Sequence, residues 1–159
     1  MGQFEDNKRG KFPARSAVSE KLVDLIERNA NELTMNWLND VCKDECTPTY
    51  HNFDKLKLYE RAFEVFSQLG KWISRETTKE EIAQHYISLG AQRREEGFPL
   101  SEVIHALILV RRHLWRKVLG EGLLDTMLDL YQAIELNNRV TLFFDRAIYN
   151  IIIGYHKKS

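Results

Sequence analysis

The residues in this chain with the most chemical potential are two cysteines, five histidines and two arginine pairs, Arg93-Arg94 and Arg111-Arg112. Cys42 and Cys46 stand four apart in CKDEC, a spacing that suits a thiol pair or half a zinc site. With no second pair to complete four ligands, they read as incidental thiols. His51, His85, His105, His113 and His156 are scattered, and no His-Glu-x-x-His segment holds two of them on one helix face. His85 and His105 are the candidates for an axial haem ligand, but both turn away from the inner face of their helices. The chain also lacks a Gly-rich phosphate loop and a Gly-x-Ser-x-Gly elbow. These residues indicate no enzyme, no metal and no cofactor.

The arginines are more informative. They flank a Gly-Phe-Pro-Leu break in RREEGFPLSEVIHALILVRRHLW. At 100° per residue Arg93 projects from the face defined by Ile82, Tyr86 and Leu89, while Arg94 lies well round from it. Arg111 falls within the stripe of Leu100, Val103, Ile104, Leu107, Leu114, Trp115 and Val118, whereas Arg112 shares the opposite side with Ser101, His105 and Arg116. A guanidinium on an inner face needs a partner, because it cannot shed its charge. The final helix offers Glu135, Asn138 and Asp145 within a stripe of Met127, Tyr131, Ile134, Leu142, Ile148, Tyr149, Ile152 and Ile153. The leading expectation is that Arg93 and Arg111 pair with Glu135 and Asp145, with Asn138 hydrogen-bonded nearby. The alternative is that the same five residues line a polar pocket for an unidentified small-molecule ligand.

Helices must position these groups. Prolines occur only at 13, 48 and 99, and between them apolar residues recur at spacings of three and four. Residues 1–15 form a polar segment expected to be flexible, ahead of a single helical domain over 16–157. One helix is expected from about Ser16 to Asp44, marked by Val18, Leu22, Ile26, Leu33 and Trp37. A second carries Leu58, Ala62, Val65, Phe66, Leu69 and Ile73. Thr78 and Glu81 fit a capping box that starts a third, which runs to about Glu96. Gly97 suits a left-handed stop and Pro99 the start of a fourth helix, Leu100 to Leu119. After GEG at 120–122, a long fifth helix covers about Leu124 to His156. The expected fold is all-α, a bundle of about five helices with a long C-terminal helix, or a globin-like variant of it.

The last helix has a second apolar stripe that includes Leu136, Val140, Phe143, Ala147 and Ile151. Two apolar faces imply two packing partners. Homodimerisation through these five residues is the leading expectation. The alternatives are a central helix surrounded by the other four, or a different protein partner.

Lys plus Arg and Asp plus Glu both number 23, so no basic field exists to collect nucleic acid or anionic lipid. No apolar run approaches the roughly 18 residues of a membrane span, and MGQFEDNKRGKFPARS lacks a signal peptide's apolar region. A cytoplasmic protein is expected.

The opening stretch also resembles a known family. Glu96-Gly97-Phe98-Pro99-Leu100-Ser101-Glu102-Val103, Ala106-Leu107, Arg111-Arg112 and Trp115 resemble the N-terminal sensor domain of RsbRD-type regulators. Those proteins are co-antagonists of the switch kinase RsbT in bacterial stress signalling, and the domain also precedes histidine kinases. FFDRAIYNIIIGY, Phe143 to Tyr155, is similar to that domain's closing helix. His105 departs from the arginine expected there and receives no role. The resemblance implies a helical input module, similar in role to non-haem globin-like heads, that passes a signal through its last helix to an output or regulatory protein. Such a sensor normally feeds an output domain, whereas this sequence ends in GYHKKS. The expectation is therefore either an excised or stand-alone input domain, or one whose output lies on a partner. A scaffold with a filled core and no ligand is the rival, and a haem-binding globin-like sensor the lesser one.

Overall fold

The computed structural model describes residues 14–157, with side-chain surroundings from residue 20 onward. Nearly all of the N-terminal segment 1–15, and the side chain of Val18, lie outside the described residues. Seven α-helices are present among those described: α1 (Ala14–Arg28), α2 (Ala30–Val41), α3 (Lys55–Ser67), α4 (Leu69–Ile73), α5 (Lys79–Glu95), α6 (Leu100–Gly120) and α7 (Met127–His156), with a 3-10 turn over Pro48–His51.

Two expected helices are each broken once, which accounts for seven in place of about five. The first divides at Asn29, whose backbone leaves the helical region (φ −104°, ψ 19°). Its side-chain amide donates to the Leu25 carbonyl at 2.7 Å, a local bond that competes with the helix ladder. The second divides at Gln68 (φ −118°, ψ 26°), so α4 is a single extra turn. No Gly or Pro marks either break.

The other boundaries follow their capping chemistry. Asp54 accepts from the amides of Leu56 and Lys57 and starts α3. Thr78 accepts from the Glu81 amide at 3.1 Å and starts α5. Thr126 and Asp129 form a complete, reciprocal capping box on α7. Gly97 takes φ +90° and Gly122 φ +67°, the left-handed turns that close α5 and follow α6. Pro99 sits immediately outside the first turn of α6.

α7 contacts α1, α4, α5 and α6, and its most extensive partner is α5. Its core face is Ala133, Leu136, Val140, Phe143, Phe144, Ala147 and Ile151, every one of them buried. This corrects the expected assignment of faces. Leu136, Val140, Phe143, Ala147 and Ile151 fill the interior of the chain and are not available as a dimer interface. Most of the stripe expected to face inward looks outward instead, with Met127 80% and Tyr149 65% exposed, while Ile148 stays half-buried against the core.

Small residues explain the choice. A Cβ on Gly90 of α5 would fall on the Ile151 carbonyl, and one on Gly154 would fall on the Ile87 carbonyl and within 3.1 Å of the Gly90 Cα. With glycine at both positions the two backbones approach almost to contact, which fixes the rotation of α7 against α5.

Candidate functional site

The corner between α5 and α6 gathers the most concentrated polar network. Arg93 reaches it from the last turn of α5, and Arg61 from α3. Glu96, in the turn itself, accepts from Arg61 Nη2 at 2.6 Å and from Arg93 Nη1 at 3.1 Å. Two guanidiniums thus share one carboxylate. Arg93 is buried, 6% exposed, so this pairing is what makes its position tolerable.

The clasp is tied to its surroundings through backbone and rings. The Phe98 amide donates to the Arg93 carbonyl at 3.0 Å. The Phe98 ring is buried between Tyr50 (centroids 4.6 Å) and Phe53 (4.7 Å), and Arg61 lies 5.2 Å over the Phe53 ring. Glu102, buried in the first turn of α6, accepts from the Thr49 amide and hydroxyl, each at 2.7 Å. That holds the 3-10 turn, and with it Tyr50, against the corner.

The corner is also fastened to the far end of α7. Tyr155 donates to the Phe98 carbonyl at 2.6 Å. Arg94 Nη1 donates to the carbonyls of Tyr155 at 2.8 Å and Lys157 at 3.0 Å, supplying donors to a helix end that has spare acceptors. Arg94 is exposed as expected, yet it has a structural task.

The electrostatics follow from this packing. Burial raises the pKa of Glu96, but the hydrogen bond and charge of Arg61, and then those of Arg93, outweigh it and hold the carboxyl below its ordinary range. Burial, and then the neighbouring Arg61 charge, push Arg93 down. Burial pushes the Tyr155 hydroxyl up to about 12, so it is a donor at any ordinary pH. His85, half-buried against Trp72 at 4.8 Å, is pushed down chiefly by desolvation.

Of the five sequence-selected polar residues, only Arg93 belongs to this site. Its partner is Glu96, three residues on, in place of Glu135 or Asp145. Arg111 is half-buried and lies 6.0 Å over the Phe144 ring. Phe144 is on the side of α7 opposite Glu135, so the two cannot meet. Glu135 approaches Arg139 of its own helix at 3.6 Å, and with Asn138 it lines a separate surface groove beside α4. Asn138 and Asp145 are exposed.

Arg61, Glu96, Glu102, Trp72 and Tyr155 received no site role from the sequence, Arg94 was expected only to face outward, and His85 was weighed only as a haem ligand. A signal existed for Arg61, which falls at helical spacing among Leu58, Ala62 and Val65, on the inner edge of its helix.

Beside the corner, a groove of about 410 Å³ runs between α3 and α5, walled by Arg61, Glu64, Trp72, His85, Gln92 and Arg93. It borders a smaller apolar space of about 70 Å³ that touches Trp37, Leu58, Val103 and Ile151. Arg61, Val65, Tyr86, Leu89 and Arg93 line both spaces.

One further cluster lies on the other side of α6. Asp44, Cys46 and His105 place metal-ligand types of atom within 4.8 Å of one another, and His105 Nε2 stands 3.1 Å from Asp44. The Cys46 thiol is pushed up, by desolvation and then by the Asp44 charge, towards the protonated form that is the weaker metal ligand.

Among the described residues, no helix is long and apolar enough to cross a membrane. No curated protein and no solved structure matches the chain. The model of the RsbT co-antagonist protein rsbRD N-terminal domain matches residues 59–157, from α3 through the last turn of α7. That span is more than half of the chain and contains the whole Arg61–Glu96–Arg93 clasp with its ties to Tyr155. The chain belongs to the RsbT co-antagonist rsbRD N-terminal domain family.

Proposed function

We propose that this chain is a non-enzymatic, cytoplasmic input domain of bacterial stress or two-component-type signalling, which relays a state of its core through the end of α7 to an output or regulatory protein. Family membership supports the signalling role. The observation that carries the relay is the threefold fastening of the α5–α6 corner to the C-terminal turn of α7, through the Tyr155 hydroxyl, the Arg94 guanidinium and the Gly90–Gly154 contact. A rearrangement at Arg93 or Glu96 therefore has a direct path to the end of α7, and packed contacts of this kind switch between discrete arrangements.

The chain acts as a homodimer in this reading, through the outward stripe of α7. Met127, Tyr131, Ile134, Leu142 and Tyr149 lie at successive spacings of four, three, eight and seven along one exposed side, with Asn138 and Asp145 among them. A stripe of this length and pattern resembles one strand of a helical pair, in which an isolated asparagine selects register.

A stress-response reporter in the host that carries this chain tests the relay. The double variant Arg94→Gln, Tyr155→Phe, folded but unfastened at α7, should change the output. Wild-type output from that variant would contradict the proposal.

A further inference from the structure

The clasp leaves donors over. Arg61 commits Nη2 to Glu96, but its Nη1 is buried with no protein partner, and so is the indole Nε1 of Trp72. Both side chains line the α3–α5 groove. A buried N–H without an acceptor costs about 1–3 kcal/mol, which an incoming acceptor recovers. The groove's volume, about 410 Å³, falls in the range of small-molecule sites.

Charge narrows the ligand further. Arg61 and Arg93 bring two positive charges, and Glu96 offsets one of them. Glu64, the one carboxylate among the groove's lining residues, balances the other, so a ligand with more than one negative charge is disfavoured. A guanidinium fork matches a carboxylate in plane and spacing. Val65, Tyr86 and Leu89 give one apolar side that suits an apolar body, beside the polar Gln84, His85, Ser88 and Gln92, and the adjoining 70 Å³ cavity is too small for a long chain.

We propose that the α3–α5 groove binds a small monocarboxylate with a compact apolar body, its head held by Arg61 with the Trp72 indole and Arg93, and its body against Val65, Tyr86 and Leu89. The site deepens the sensory reading, since the ligand's head would bear on the same guanidiniums that fasten the corner. Binding itself does not depend on that reading.

The test is a titration of the isotope-labelled chain, followed at its tryptophan indole and arginine side-chain N–H signals. Sodium benzoate and sodium hexanoate are the probes. Benzamide, inorganic phosphate and sodium chloride are the comparisons. Both carboxylates should shift the Trp72 indole saturably, while the Trp37 indole, already bonded to the Ala106 carbonyl at 2.9 Å, stays in place. Arg61→Gln should weaken binding about tenfold or more, and Arg111→Gln should leave it unchanged. The titration of the unaltered chain stands even where Arg61→Gln fails to fold. The proposal is overturned by the absence of a saturable Trp72 shift with either carboxylate, by benzamide or phosphate binding as well as benzoate, or by unchanged affinity in a folded Arg61→Gln protein. Failure here with a reporter still sensitive to Arg94 and Tyr155 would remove the ligand and leave the relay; binding with an insensitive reporter would do the reverse.

Discussion

Tyr155, in the last turn of α7, donates a 2.6 Å hydrogen bond to the carbonyl of Phe98, the residue that follows the left-handed Gly97. The corner that ends α5 is thereby bonded to the end of a helix that starts only at Met127, well after it in the chain. Replacing Tyr155 by Phe keeps the ring and deletes the bond. Denaturant unfolding should show a loss of about 1 kcal/mol, and the amide of Lys157 should exchange faster than in the parent.

The glycine pair gives the sharpest packing prediction. Gly90→Ala and Gly154→Ala each place a methyl group on a facing backbone. Each should therefore destabilise by about 2 kcal/mol or more, although alanine is the better helix former. Gly120→Ala, where nothing lies within 4 Å of the added atom, should be neutral or stabilising. Thermal melts of the three proteins check the contrast; equal effects would mean that α5 and α7 are not in backbone contact.

Acid should open the clasp. The carboxyl of Glu96 titrates lower in the folded chain than its ordinary value of 4.5. Its contribution to stability is then fully present above that value and is lost as pH falls from there through the depressed folded value. Glu96→Gln removes this contribution, so the stability difference between parent and variant should be constant near neutrality and shrink below about pH 4.5. A difference that grew on acidification would have the wrong sign.

The dimer reading has a separate test. Tyr131→Glu with Ile134→Glu puts two charges on the exposed stripe of α7 without touching the core. Sedimentation should give a dimer for the parent and a monomer for the variant, with unchanged helicity. A monomeric parent at high concentration would remove the dimer.

Much of this fold can be read directly in the sequence. Capping residues mark the starts of α3, α5 and α7 and glycines follow the ends of α5 and α6, and the inward rotation of Arg93 follows from Ile82, Tyr86 and Leu89. The face of α7 does not follow from periodicity alone, because two apolar stripes on one helix give a wheel no preference between them. The discriminating signal was residue size. Ala133, Ala147 and Gly154 are small enough for close helix packing, whereas Asn138 and Asp145 interrupt the other stripe. The partner of Arg93 was missed for a different reason. Glu96 caps α5 with a helical backbone, and its i, i+3 spacing brings the carboxylate to the guanidinium, a near neighbour passed over in favour of partners on the last helix. Arg61 is joined to them only through tertiary structure, 35 positions away from Glu96.

The central claim is that the clasp and the end of α7 move together, along Glu96, Arg93, Phe98 and Tyr155. Hydrogen exchange of Glu96→Gln against the parent, under conditions where both are folded, tests it most directly. Amides from Ile152 to His156 should lose protection, while those from Leu114 to Val118, in the second half of α6, keep theirs. Equal loss in both segments, or no change at the end of α7, would contradict the account.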